Sequence, residues 1–172
     1  MTEPTFIHSA ADISECGTWR YTLTRLWSKD TPPLPVCMVN PSTADAFVLD
    51  PTIKRVVGFA QREGFGGILI TNLFALRSTD PEGLKTAADP VGPANDHALT
   101  SIFEGSATRR LPVLVGWGKH GRLFGREAKV IAMAQKAGAV LVSLGENGDG
   151  TPRHPLYIAA DRPFQKFTGV AS

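Results

Sequence analysis

The chain has 172 residues, 42% of them hydrophobic and 20% charged, and a formal net charge of +2 from 18 Lys and Arg against 16 Asp and Glu. Domains cluster at roughly 100–150 residues, so one soluble globular domain spanning 1–172, with its core at about 18–158, is expected rather than two. The apolar fraction argues against disorder, the small charge against whole-protein attraction to a polyanion, and no run approaches the 18 or so apolar residues of a spanning helix.

In chain order, residues 1–11 lack the basic start and apolar run of a secretory signal, so a cytoplasmic location and no membrane partner are expected. Cys16 and Cys37 stand 21 positions apart outside any metal-ligand spacing, which predicts reduced thiols and no metal site. Residues 18–27 alternate Trp19, Tyr21, Leu23 and Arg25 with Arg20, Thr22, Thr24 and Leu26, the period of a strand, placed at the periphery of the sheet. Short apolar runs at 36–39, 67–73, 112–115 and 139–144 read as strands buried on both faces. Between them lie three helical patterns. The first carries Ile53, Val56, Val57 and Ala60, with Asp50 as N-cap, Pro51 at the first turn and Gly64 as the stop. The second carries Leu99, Ile102 and Phe103 and ends at Gly105. The third runs from about Leu123 through Val130 and Ile131 to Gly138.

Strands alternating with amphipathic helices predict a three-layer α/β/α domain around a central four-stranded parallel sheet, with one peripheral N-terminal strand. In such sheets ligands bind beyond the carboxyl ends of the strands. The segments there are rich in amides, hydroxyls and glycines: Asn40-Pro41-Ser42-Thr43-Ala44-Asp45, Thr71 to Asp80, Gly116 to Gly121, and Leu144 to Tyr157, ending His154-Pro155-Leu156-Tyr157. They offer no paired carboxylates and no G-x-S-x-G elbow, so they suit the reading of a planar polar ligand more than conventional acid/base work.

Each residue has a plain reading beside the functional one. An amide presents a donor and an acceptor on one plane, so Asn40 or Asn72 can pair with a base edge or orient a water. Equally, Asn40-Pro41 opens turns and Asn72 can tie two loops together. His154 is a packing residue or a neutral donor to a developing anion. Gly116-Trp117-Gly118 is a tight turn or a close backbone approach to a ligand. Arg109, Arg110, Lys119, Arg122, Arg126 and Lys129 oppose only Glu127, which makes either a solvated helix face or a phosphate-contacting rim.

The run Tyr21-x-Leu23-x-Arg25-x-Trp27, with Asn40-Pro41-Ser42-Thr43-Ala44-Asp45, Asp50-Pro51-Thr52, Asn72-Leu73-Phe74-Ala75-x-Arg77-x-Thr79-Asp80-Pro81, Val91-Gly92-Pro93-x-Asn95-Asp96, Trp117-Gly118-x-His120-Gly121 and His154-Pro155-Leu156-Tyr157, resembles the bacterial and phage family catalogued as domain of unknown function 1643. That family names no activity. More distantly, the order of motifs is similar to the uracil-DNA glycosylase superfamily, in particular its mismatch-specific thymine/uracil branch. Val39-Asn40-Pro41-Ser42 stands for that branch's first strand-end turn, Thr71-Asn72-Leu73 with Arg77 and Thr79 for the second, and His154-Pro155 for the last.

The distant likeness implies N-glycosidic hydrolysis of a modified or mismatched pyrimidine in nucleic acid, with no metal and no cofactor. Asn40 would position water and His154 would donate to the departing base. Asn72 would read the base edge, with Pro41, Ser42, Thr43, Asp45, Phe47, Phe74, Arg77, Thr79, Trp117, Gly118 and His120 forming the rest of the substrate site. Lys119, Arg122, Arg126 and Arg153 would follow the nucleic-acid backbone, and Leu156 is the candidate wedge. Met38 and Ser42 replace the two glycines of the first motif, and no serine follows His154-Pro155. A non-catalytic nucleobase, nucleotide or nucleic-acid binding module is the alternative. Oligomeric state is left open.

Overall fold

A computed structural model describes residues 2–42 and 49–169. It is a mixed α/β structure with a seven-stranded sheet: β1 (His8–Ile13), β2 (Arg20–Leu26), β3 (Pro33–Met38), β4 (Gly67–Asn72), β5 (Pro112–Val115), β6 (Val140–Ser143) and β7 (Gln165–Lys166), in the spatial order β1-β2-β4-β3-β5-β6-β7. Helices α1 (Pro51–Arg62), α2 (Asn95–Arg109) and α3 (Arg126–Ala137) connect the central strands.

The four predicted apolar strands are the parallel ones, β4, β3, β5 and β6. The expected sheet size is corrected from four strands to seven. The strand read as peripheral, β2, instead lies between β1 and β4 and pairs antiparallel with both. The small, mixed composition of β1 and the two-residue length of β7 give neither a period that sequence could reveal.

Local chemistry explains the helix limits. Asp50 caps α1 by accepting from the Ile53 amide at 2.8 Å, and Pro51 needs no partner for its missing N–H. The second helix does not stop at Gly105. It runs to Arg109 and closes on Arg110, which takes the left-handed conformation at φ 55°. The third begins at Arg126, because Leu123 and Phe124 lie in a kinked turn before it, and it ends on Gly138 as expected.

Alternation along the strands divides the core in two. Val36, Met38, Ile68, Ile70 and Leu114 pack with Ile53, Val56, Val57 and Ala60 of α1. Cys37, Val39, Val113 and Val115 pack with Leu99 and Phe103 of α2 and with Val130, Ile131 and Ala134 of α3. Full burial of a Val, Ile or Phe is worth about 1.5–3 kcal/mol, so each cluster holds its helix firmly. From β3 the chain crosses by α1 to β4 on one side, then by α2 back past β3 to β5 on the other. The crossover direction therefore reverses between β3 and β5, and a crevice opens at the carboxyl ends of that pair.

Candidate functional site at the carboxyl ends of the strands

Two chambers meet at this reversal, sharing Val39, Pro81 and His154 as a common wall. The smaller encloses about 160 Å³ and is lined by polar groups from β2, β3, β4 and the Asp50 cap. The larger encloses about 400 Å³ and is bordered by the loops after β5 and β6.

In the smaller chamber, Asn40 stands two residues beyond the end of β3. Its Nδ2 donates to the carbonyls of Pro41 (3.1 Å), Ser78 (3.0 Å) and, at 3.5 Å, Leu76. These contacts tie the first loop to the second, the role that the plain reading gave to Asn72 and not to Asn40. They also decide which end of the amide is nitrogen, leaving Oδ1 as the end without a partner among the described residues. Asn72, the last residue of β4, behaves in the opposite way. Its side chain is 2% exposed, it lines the chamber, and its Nδ2 has no hydrogen-bond partner among the described residues. Its backbone carbonyl accepts from Asn95 Nδ2 at 3.0 Å. A buried amide donor without a partner costs about 1–3 kcal/mol, so this is an arrangement that a ligand acceptor would relieve.

Ser42 donates to Asp50 Oδ2 at 2.8 Å, so the helix cap and the first loop are joined at the chamber wall. Thr79 lines the same wall, while Pro41 is buried and acts through its carbonyl. Thr43, Asp45 and Phe47 lie outside the described residues.

His154 stands at the junction of the two chambers. Its Nδ1 accepts the Leu156 amide at 3.4 Å, which assigns the proton of the neutral ring to Nε2. Burial pushes its pKa below the usual imidazole value and the Asp50 carboxylate pulls weakly upward, so the ring is a neutral donor at pH 7.

Arg20 and Asp50 complete the smaller chamber, and neither was singled out as a ligand contact from sequence. Arg20 is 2% exposed, and burial lowers its pKa to about 10, opposed by Asp50 and assisted by Arg77 and Arg25. It remains a cation at neutral pH. Alternation along residues 18–27 gave no signal for this, because the reason is topological. β2 runs antiparallel to β4, with Leu23 opposite Ile70, so β2 begins where the parallel strands end.

In the larger chamber, Gly118 adopts φ 63°, a left-handed backbone that favours glycine. Lys119 and Arg153 line it, Arg153 donating from Nε to the Glu146 carbonyl at 3.2 Å. His120 Nε2 lies 3.1 Å from Glu82 Oε1, and Lys85 and His120 together hold the Glu82 carboxyl below its usual range. Trp117 contributes to the wall, but its indole is a core group, 1% exposed, donating to Glu127 at 3.2 Å and meeting Phe167 edge-on at 5.7 Å. Tyr157 and Asn147 also border the chamber and were not singled out as ligand contacts beforehand.

Four predicted contacts lie elsewhere. Phe74 is fully buried in the α2/α3 cluster and borders neither chamber. Arg77 donates to the Gly17 carbonyl at 3.1 Å. Arg122 holds the Asp149 carbonyl and stands 3.5 Å from Glu127. Arg126 is 3% exposed, donates to the Leu73 carbonyl at 2.6 Å and pairs with Asp96 at 2.7 Å, which makes it a clamp between α2, α3 and the end of β4 rather than a backbone contact. Burial alone would raise the Asp96 carboxyl, but hydrogen bonds from Lys129 and Arg126 outweigh it and hold the group low.

Among the described residues no cluster of three His, Cys, Asp or Glu could hold a metal, and no helix is long and apolar enough to cross a membrane. The architecture defines a mixed α/β protein with its polar cleft where the crossovers reverse. The family model for the protein of unknown function DUF1643 matches residues 20–156, and the chain belongs to that family. No curated protein and no solved structure matches it.

Proposed function

We propose that the protein recognises a nucleobase in nucleic acid through the smaller chamber and hydrolyses the N-glycosidic bond of a modified or mismatched pyrimidine there, in the manner of the uracil-DNA glycosylases. The observation that carries this reading is Asn72, a buried carboxamide whose donor has no partner among the described residues, beside Asn40 and His154 in one ring-sized chamber. The three-layer, glycosylase-like description of the fold belongs to the same proposal, supported by helices packed against both faces of the parallel strands.

The chemistry follows from the groups present. None of these amides is a strong base, so bond breaking runs ahead of water attack, and negative charge develops on the leaving base. Asn72 Nδ2 and His154 Nε2–H are donors for its oxygens, and Arg20 adds positive potential. Asn40 Oδ1 accepts a hydrogen bond from the incoming water and so orients it, and the proton that water gives up on attack goes to the departed base anion. A base within a duplex would have to leave the stack to reach this chamber.

The test is a panel of single- and double-stranded oligonucleotides carrying uracil, thymine mismatches or modified pyrimidines, scored for abasic sites. Cleavage of at least one member is expected, with His154→Ala slowing turnover about 100-fold, the usual cost of losing one donor to a developing anion. An inert wild type across the panel rejects the enzymatic reading, and full activity in Asn40→Ala rejects the role given to Asn40.

One observation favours a second reading, a non-catalytic binding module: every hydrogen bond made by Asn40 Nδ2 serves the loop, as a structural asparagine would. Saturable calorimetric binding of free bases or nucleotides without turnover selects that reading.

A further inference from the structure

The larger chamber differs from the smaller one in kind. Lys119 and Arg153 line it, and no carboxylate does among the described residues. At its rim Tyr157 is 86% exposed, more than any other large hydrophobic side chain among the described residues. The ring is presented by a stiff turn. Pro155 packs so closely on Gly116 that a Cβ there would stand 2.8 Å from Pro155 Cδ, which fixes the turn to the end of β5. Within it, the Leu156 amide is held by His154, and the Tyr157 ring lies 6.5 Å from the imidazole at 45°. The fold thus displays an aromatic face to solvent immediately beside the donor that serves the smaller chamber.

Size separates the two chambers further. Pockets for whole small molecules run from about 300 to 1,000 Å³, so about 400 Å³ admits a nucleotide whereas about 160 Å³ admits a ring. A solvent-facing aromatic next to cations, in a chamber whose neighbouring carboxylate, Glu82, is held by His120 and Lys85, meets the two needs of unpaired nucleic acid: a face for a base to stack on and positive charge for the backbone. A duplex has its base faces already stacked and offers none to Tyr157.

We propose that the larger chamber binds the nucleotide adjoining the recognised base in a single strand, its base stacked on Tyr157 and its phosphate against Lys119 and Arg153. This rests on the reading of the smaller chamber as a nucleobase site, and it specifies the strand state of the target and a residue that selects it.

The test titrates wild-type protein into a labelled short oligoadenylate strand, free or annealed to its complement, and follows fluorescence anisotropy. Tighter binding to the single strand is expected. Tyr157→Ala weakens that binding roughly tenfold, as loss of one base stack does, and Tyr157→Phe restores it. Because Tyr157 is exposed, neither variant disturbs the core. Arg153→Gln lowers the slope of log affinity against log salt by about 0.7, the value for one phosphate contact on a single strand. Equal or tighter binding of the duplex, or wild-type affinity in Tyr157→Ala, overturns the proposal. Calorimetry with free uracil separates it from the reading on which it rests: uracil binding without any Tyr157 effect on the strand overturns this inference alone. A Tyr157-dependent strand affinity without uracil binding overturns the nucleobase reading and supports the strand site.

Discussion

Replacing Asn72 by leucine keeps the shape of the side chain and removes its amide. In the free protein Asn72 is 2% exposed, and its side-chain nitrogen has no partner among the described residues. A buried unmet donor costs about 1–3 kcal/mol, so Asn72→Leu stabilises the unliganded protein by about 1 kcal/mol even if only the low end of that range is recovered. For a chain of this length, 1 kcal/mol raises Tm by about 2–4 °C. The same change removes a hydrogen bond to the ligand, which lowers affinity about tenfold. The expected signature is opposed: a higher melting temperature in scanning calorimetry and weaker uracil binding in titration calorimetry. A core asparagine with a structural role would show the reverse, a fall of several degrees with affinity following stability. That outcome, or unchanged affinity beside a raised Tm, refutes the role assigned to Asn72.

Further outcomes follow from the same geometry. Burial depresses the His154 pKa, so the unfolded chain takes up the proton first as pH falls. Stability is therefore level above the ordinary imidazole value near 6.5 and declines as pH drops from there through the lower folded value, a decline that melting curves should lack in His154→Gln. Gly116→Ala presses a methyl into Pro155 and shifts the turn carrying His154 and Tyr157, costing about 1–3 kcal/mol by overpacking and impairing ligand binding beyond that loss; urea unfolding read beside uracil titration checks both. Arg126→Gln removes a charged hydrogen bond to Leu73 and an ion pair with Asp96 and lowers stability by about 2 kcal/mol, while the salt dependence of strand binding stays at the wild-type slope, because the group is buried and contacts no phosphate. Hydroxyl contacts from Ser14 and Thr18 lower the exposed Cys16 thiol to about 7, whereas burial pushes Cys37 up to about 12. Alkylation with iodoacetamide should label Cys16 with a midpoint near that pH and leave folded Cys37 untouched.

The legible parts of the fold were those whose signal is local. The four parallel strands announce themselves as apolar runs, although β6 leaves Val140 exposed, and the Asp50-Pro51 start of α1 is a cap with one solution. Gly105 misled because a glycine inside a helix costs only about 1 kcal/mol, and the packing of Leu99 and Phe103 carries the helix past it to Arg110. Asn40, Asn72 and His154 border the cleft as their places in the sequence suggest, because each sits where a parallel strand or its loop ends. Arg20 was not legible, since its arrival depends on β2 running antiparallel to β4, a pairing that no local pattern encodes. Phe74 and Trp117 follow strands and look available in sequence, yet both turn into the α2/α3 cluster, where burying an aromatic outweighs leaving it to a ligand. Arg126 looked like part of a basic rim because charge density along the chain does not reveal that Asp96 and the Leu73 carbonyl close over it.

The central claim, that the smaller chamber reads a nucleobase through Asn72, is tested most directly by the side-chain amide resonance of that residue. In a nitrogen-15 correlation spectrum of the wild-type protein, titration with free uracil should move the Asn72 Nδ2 protons downfield in a saturable way, with the assignment given by their disappearance in Asn72→Leu. An Asn72 amide that stays in place at uracil concentrations that shift other resonances, or at which nothing shifts, would contradict the account.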